Sequence, residues 1–572
     1  MINIPTPRER IFLPQDFKVT DWENLQPYFQ QLKDAEINSD QDLLLWLKQR
    51  SELESVLEEE MGWRYVRMTC FTENEEYRNA FNYIVTEIEP NISPESNELD
   101  KKALASPFLA NLKGDGYNLL HKKLKSSAEL FREENIPLFT EMQTQQQVFG
   151  QVNGAMTVTL DGKELTLQQA GVQLQNTDRA VRENVYKLIQ SRRLQDKKQL
   201  DELLISLVDL RHKVAVNAGF SNYRDYMFEA MGRYDYTPKD CFDFHNAIKQ
   251  EVVPILDRLA EERKKNLGVS ELRPWDLAVD PQNLPALKPF ENGEELLEKS
   301  IACFDLLDPY FSNCLKVMKK MERLDLVSRK GKSPGGYNYP LDETGIPFIF
   351  MNATSTLQDL VTMVHEGGHA IQSFLTIPLE LNVWRGLTSE IAELASMSME
   401  LMSMEKWDVF FSNPEELKRA KLQQLEHIIE TLPWVATIDK FQHWLYENHT
   451  HTIEERTKAW LNIHNEFRPE AVQWTGLEEY QQNVWQKQLH IYEVPFYYIE
   501  YGMAQLGAIA VWKNFKENPT KAIAQYKEAL ALGYSKSIKD VYATAGVKFD
   551  FSANYIKELM DFVQAELEEL LR

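Results

Sequence analysis

His365 and His369 stand four residues apart, with Glu366 between them, in the run VHEGGHA. Residues four apart share one face of a helix, so two imidazoles at that spacing can reach a single ion. Glu366 projects beside them, placed to take a proton from water that the ion acidifies. The chemistry expected is zinc-assisted hydrolysis. A catalytic zinc needs a third protein ligand and an open fourth position. The segment LTSEIAELASMSMEL, residues 387–401, supplies carboxylates. Thr388 or Ser389 can cap a helix there, and Glu390 would then lie in its first turn, where a carboxylate complements the helix dipole without further role. Glu393 lies a turn further in and is the favoured third ligand. Glu400 shares its face and is a candidate to hold a ligand from behind.

The element that must present the histidines reads clearly. Thr356, with Asp359 three residues later, forms a capping box. Leu357, Leu360, Val361, Val364 and Ile371 then fall on one apolar face, which predicts a helix through the motif. Gly367 and Gly368 inside it cost about 1 kcal/mol each relative to alanine. Close approach of another element or of a substrate would explain them. Other zinc peptidase layouts do not fit. A metzincin would need glycine at 372 and histidine at 375, where this chain has Gln372 and Leu375. Thermolysin-like enzymes and aminopeptidases would place the ligand glutamate near 388 or 389, which are Thr388 and Ser389. The aminopeptidase-like fragment Gly154-Ala155-Met156 lies far upstream and lacks the glutamate that should follow.

The rest of the chain is mostly helical in pattern. Apolar residues three and four apart, with charges between, run over 39–60 and 178–217, the second capped by Asp178. Further helical stretches occupy 240–265, 293–325, 414–448 and 520–572. Two places differ. Met156 to Leu167 alternates β-formers around Asp161-Gly162, which predicts a hairpin. Pro347 to Asn352 is a short apolar strand after a turn-rich stretch, and its edge is a candidate to pair with an extended peptide. Residues 273–289 read as a loop. The expected division is an N-terminal helical region, 1–200, and a catalytic region, 201–572.

The chain has 572 residues and a net charge of −24, with no basic run to offset it. The clusters Lys123–Lys125 and Lys330–Lys332 are too short to dock a phosphate backbone, so nucleic acid is not an expected partner. Cys70, Cys241, Cys303 and Cys314 form neither a zinc knuckle nor a disulfide framework, and free buried thiols in a reducing compartment are the simplest account. Val494 to Trp512 is nearly long enough to span a bilayer, but Glu500, Gln505 and Pro495 interrupt it, so a buried core helix is expected. No apolar stretch follows the N-terminal charges MINIPTPRER. A cytoplasmic location with no membrane association is the expectation.

The motifs together resemble the thimet oligopeptidase and oligoendopeptidase F family. The resemblance rests on HEGGH followed by ELAS at 393–396, GKSPGGYNY at 331–339 and PFIFMNATSTLQDL at 347–360. RHKVAVNAGFSNYRDYMFEAMGRYDY at 211–236 and HIYEVPFYYIEY at 490–501 also carry it. It covers at least residues 200–515 and looks closest to the bacterial oligoendopeptidase branch, which includes Pz-peptidases. Gly367 departs from the bulky residue that many members have, and the spacing from His490 to the tyrosines departs from the thimet branch. The resemblance implies a mainly α, two-lobed ellipsoid with a deep channel and one zinc per chain at its floor. It implies a zinc endopeptidase acting on short unstructured oligopeptides. It also offers His490, Tyr498 and Tyr501 as donors to the oxyanion, with Tyr497 in reserve. His443, His449, His451 and His464 read as structural or surface residues. The alternatives are a peptide-binding protein of the same fold without catalysis, and a peptidyl-dipeptidase or carboxypeptidase-type exopeptidase.

Overall fold

The computed structural model describes residues 4–6, 8–329, 331–333, 335–386 and 388–572. Of the segments read above, Met1–Asn3, Pro7, Lys330, Pro334 and Leu387 lie outside the described residues. The chain is mainly α with a small β element, as expected. The 39–60 pattern extends into one helix, Asp40–Cys70, and the 178–217 pattern divides at Asp196 into Arg179–Gln195 and Lys197–Asn217. Asp178 caps the first of these, its carboxylate accepting the Ala180 N–H at 2.8 Å.

The hairpin pairs β1 (Thr157–Leu160) with β2 (Lys163–Thr166), antiparallel. Asp161 and Gly162 both have positive φ, 50° and 75°, which is what a two-residue turn matched to strand twist requires. The second sheet has three strands: β3 (Leu324–Val327), β4 (Tyr337–Tyr339) and β5 (Phe348–Ala353), in the order β3-β5-β4. The Pro347–Asn352 segment is therefore the central strand, parallel to β3 and antiparallel to β4. This corrects the expectation that its edge is free for a peptide: both its hydrogen-bonding sides are taken. The motif helix packs against both β5 and β4, and the Asn338 side chain of β4 donates to the Glu366 carbonyl at 3.3 Å.

The apolar interior falls into two main bodies. One is built from residues 13–124 with Leu381, the other from residues 142–567. A cavity of about 580 Å³ lies between them, lined by Lys123 and Ser126 on one side and Glu229, Glu390 and Glu500 on the other. Residues 381–385 are anchored in the N-terminal body. Asn382 N donates to Ser51 Oγ, Trp384 Nε1 to the Gly116 carbonyl, and Arg385 to Ser55 Oγ. Val494–Trp512 does not form one helix from its start: a turn at Pro495-Phe496 precedes the helix Tyr498–Glu517, which is buried. No described helix is long and apolar enough to cross a membrane. All four cysteines are buried and free.

Candidate metal centre

The motif helix runs from Leu357 to Thr376. Its capping box is complete: Asp359 N donates to Thr356 Oγ1 at 3.2 Å and the Asp359 carboxylate accepts Thr356 N at 2.8 Å. The same carboxylate accepts Thr354 N at 2.8 Å, tying the helix start to the end of β5. The His365 and His369 rings stand edge-to-face with centroids 4.9 Å apart.

The second site helix runs from Ser389 to Met404. It meets the motif helix backbone to backbone at Gly368, where a Cβ would lie 2.6 Å from Ser396 Cα and 2.7 Å from the Ala395 carbonyl oxygen. At Gly367 a Cβ would strike the Phe304 ring at 2.7 Å. The two glycines thus answer to close approach of other elements. Small residues at 395 and 396 complete the contact, which brings Glu393 up to the histidines. Glu393 Oε2 lies 3.3 Å from His365 Nε2 and 3.7 Å from His369 Nε2.

Every remaining polar atom of Glu393 is tied down. Oε1 accepts the Tyr497 hydroxyl at 2.7 Å, and Oε2 accepts Ser396 Oγ at 3.0 Å. Burial alone would raise this carboxyl. The facing His369 and His365 and the Tyr497 hydrogen bond outweigh burial and hold it at about 2. Glu400 lies behind His365, accepting its Nδ1–H at 2.6 Å, and is itself fixed by Gln424 Nε2 at 3.0 Å. Glu390 points elsewhere. It is buried, its carboxylate accepts the Tyr236 hydroxyl at 2.6 Å, and its carbonyl accepts the Tyr542 hydroxyl at 3.1 Å.

Glu366 is buried beside the histidines, and its Oε2 has no hydrogen-bond partner. Burial, reinforced by Glu393 and Glu400 against the pull of His365, lifts its carboxyl to about 7. The His365 and His369 side chains remain 18% and 17% exposed, so solvent reaches the site on their side.

His490 and the tyrosines gather opposite. His490 Nε2 lies 3.3 Å from the Tyr501 hydroxyl and its Nδ1 accepts Gln488 Nε2 at 2.8 Å. That second bond assigns the proton to Nε2. Burial holds the imidazole down at about 4, so it is neutral near pH 7. The Tyr498 ring packs edge-on against His490, with its hydroxyl beside Gln488 and Trp434. The left-handed turn at Phe496, φ 68°, is held by Gln442 Oε1 accepting its N–H and by Arg233 donating to its carbonyl.

The structure therefore brings together His365, His369, Glu393, Glu366 and Glu400, with His490 and Tyr501 paired nearby. Sequence reasoning gave Tyr497 only a reserve place and passed over Gln424, Gln488, Arg233 and Tyr236. The last two lie inside the quoted segment 211–236, which was a signal for them. No periodicity marks which of three consecutive aromatic positions faces Glu393.

The donor set also fits a metal. Two imidazole nitrogens and one carboxylate oxygen lie within 4.8 Å of one another, the ligand types zinc takes in catalytic sites. Three buried carboxylates, Glu366, Glu393 and Glu400, converge on these two imidazoles, a field that favours a cation.

Comparisons with known proteins give the family and the fold. Residues 172–561 match the model of peptidase family M3, and residues 12–131 match the peptidase M3 N-terminal domain. An oligoendopeptidase F homolog of Lactococcus lactis subsp. lactis (strain IL1403) is 24% identical over 403 residues, 69% of this chain. The match spans 65% of that relative's length. The solved structure of Pz peptidase A with an inhibitor superposes with a TM-score of 0.91 at 25% identity, covering 97% of this chain and 99% of that one. A putative oligoendopeptidase F superposes with a TM-score of 0.91 at 26% identity, covering 97% and 98%.

Proposed function

The chain belongs to peptidase family M3, and from that premise we propose that it is a zinc endopeptidase that hydrolyses internal peptide bonds of short, unstructured oligopeptides, with residues 201–572 as its catalytic region. The observation that carries this reading is the convergence of His365, His369 and Glu393 beside the unpartnered carboxylate oxygen of Glu366.

His365, His369 and Glu393 would hold one ion. When bound, zinc supplies Lewis acidity, making water a better acid and a carbonyl a better electrophile. Glu366 is the proton carrier. A carboxyl poised near neutrality can take the proton of the attacking water and deliver it to the leaving amine. His490 presents an Nε2–H and Tyr501 a hydroxyl from adjacent positions, and both are assigned to the oxyanion. Tyr498 is assigned the supporting place behind His490, with its hydroxyl as a further donor. Tyr497 positions Glu393, and Glu400 positions His365 while raising its basicity. An extended substrate is expected to add to the outer edge of β4, next to the helix carrying Glu366. The low exposure of both histidines favours oligopeptides over folded proteins.

The test is cleavage of a peptide blocked at both ends, with products mapped by mass spectrometry, together with zinc analysis of His365→Ala and His369→Ala. Internal cleavage that phenanthroline abolishes, and loss of the catalytic ion in both variants, are the expected results. Cleavage that persists in the variants overturns the assignment. Products released only after unblocking a terminus would indicate an exopeptidase.

A further inference from the structure

A second group of metal-binding side chains lies away from this centre. The helix Pro238–Glu251 packs against the long helix Pro414–Glu447. Cys241 and His245 stand four apart on the first, and Asp439 and His443 four apart on the second. Each pair thus shares one helical face. All four residues are at most 1% exposed. Cys241, Asp439 and His443 each offer one ligand atom, all within 4.8 Å of one another.

The hydrogen bonding within this group does not close. Asp439 Oδ2 accepts His245 Nε2 at 2.8 Å, but Asp439 Oδ1 has no partner. His443 Nε2 lies 3.3 Å from the same Oδ2 without hydrogen-bond alignment, and neither of its ring nitrogens has a partner. A fully buried carboxyl oxygen without a hydrogen-bond partner is costly. Protonating His443 would balance the charge but leave two buried N–H groups and Oδ1 still unpaired. One divalent cation would take a carboxylate oxygen of Asp439 and one ring nitrogen of His443, leaving a single His443 nitrogen without a partner. With a thiolate and a carboxylate its charge sums to zero, and its remaining ligand is the neutral imidazole.

We propose that Cys241, Asp439 and His443 bind a second, structural zinc ion that ties these two helices together, with His245 donating to Asp439 and fixing its orientation. The mixed sulfur, nitrogen and oxygen set suits zinc, and a site sealed from solvent has no place for the exchangeable water of a catalytic centre. Phe242 and Phe496 close over His443, with ring centroids 4.7 and 5.4 Å from its own. Phe496 is the residue at the left-handed turn before Tyr497, so the ion would brace that turn from behind. The expectation of one zinc per chain counts only the His365 centre.

Metal analysis of the native protein from zinc-supplemented cultures tests this. Two equivalents per chain are expected, falling to one when brief phenanthroline treatment abolishes hydrolysis. The double variant His365→Ala/His369→Ala should keep one equivalent, and adding Cys241→Ser should remove it. Grown with cobalt, the double variant should show a sulfur-to-cobalt charge-transfer band, because no ligand at the His365 centre is a sulfur. That spectrum decides the matter with Cys241 intact, even if the Cys241→Ser variant fails to fold. A double variant that holds no metal and shows no such band overturns the proposal. A wild-type protein whose single equivalent is lost with His365 and His369 overturns it too, while leaving the catalytic assignment standing.

Discussion

Gly368→Ala separates the helix's own preference from the demands of the site. Alanine is favoured over glycine in a helix interior by about 1 kcal/mol. At this position the added Cβ would lie 2.6 Å from Ser396 Cα and 2.7 Å from the Ala395 oxygen. Carbon contacts are normally about 3.5–4.0 Å, so the helices must part by roughly 1 Å. Both obstructing atoms are backbone, so no rotamer relieves the overlap, and overpacking of this kind costs about 1–3 kcal/mol. The net change in stability is then about 0–2 kcal/mol, a small shift in Tm for a chain of this size. The effect on the site is larger. Gly368 adjoins His369, and Ser396 lies three residues from Glu393, so the parting falls on separations now 3.3 and 3.7 Å. A 1 Å misplacement can cost about 10²-fold in rate. Gly368→Ala should therefore lower kcat/KM about 10²-fold and weaken zinc retention, measured by peptide hydrolysis, metal analysis and thermal unfolding. Gly367→Ala meets only the Phe304 ring, a side chain that can move, and should lose less. A Gly368→Ala enzyme with full activity, full zinc and a raised Tm would refute the backbone contact on which this reasoning rests.

Glu366→Gln keeps the shape and removes the proton acceptor, so zinc should stay and kcat should collapse; zinc loss together with activity would instead make Glu366 part of the metal's support. Tyr501→Phe should lower kcat about 10²–10³-fold with KM and zinc nearly unchanged, the usual cost of one lost oxyanion donor. His490→Ala should act similarly and Tyr498→Phe less severely, and near-normal kcat in all three would remove this segment from the reaction. Tyr497→Phe frees one oxygen of Glu393, so its signature should be zinc affinity lowered about 10–100-fold, read by competition with a chelator, rather than a pure kcat effect.

The histidine pair and its helix were legible because they obey local rules: four-residue spacing, a capping box and an apolar stripe. The glycine pair announced a close approach, although only the fold names Ala395, Ser396 and Phe304 as the neighbours. Choosing Glu393 over Glu390 rested on helix position alone, whereas the structure turns Glu390 away through Tyr236, more than 150 positions away in sequence. Strand order was not legible. Tyr337–Tyr339 is three residues inside a turn-rich stretch, too short to show alternation, so its claim on one side of β5 was invisible. The roles of consecutive aromatics were equally hidden. The turn at Phe496 resets the helical phase, and with it which of Tyr497, Tyr498 and Tyr501 faces Glu393.

With the proposed metal assignment, the anchoring of residues 381–385 in the N-terminal body would make metal affinity and the stability of that body reciprocal quantities. That segment joins the helix bearing His365 and His369 to the helix bearing Glu393, and its holds on Ser51, Ser55 and Gly116 belong to a core that contributes no ligand. If the N-terminal body loosened, the link would slacken and the three proposed ligands would lose their common register. Conversely, an ion present at about 1,000 times its Kd adds roughly 4 kcal/mol to the state in which that register is kept. Part of that stabilisation is then felt by residues 13–124, far from any ligand. Metal loading and ordering of the N-terminal body should behave as one linked equilibrium, each strengthened by the other by the same factor.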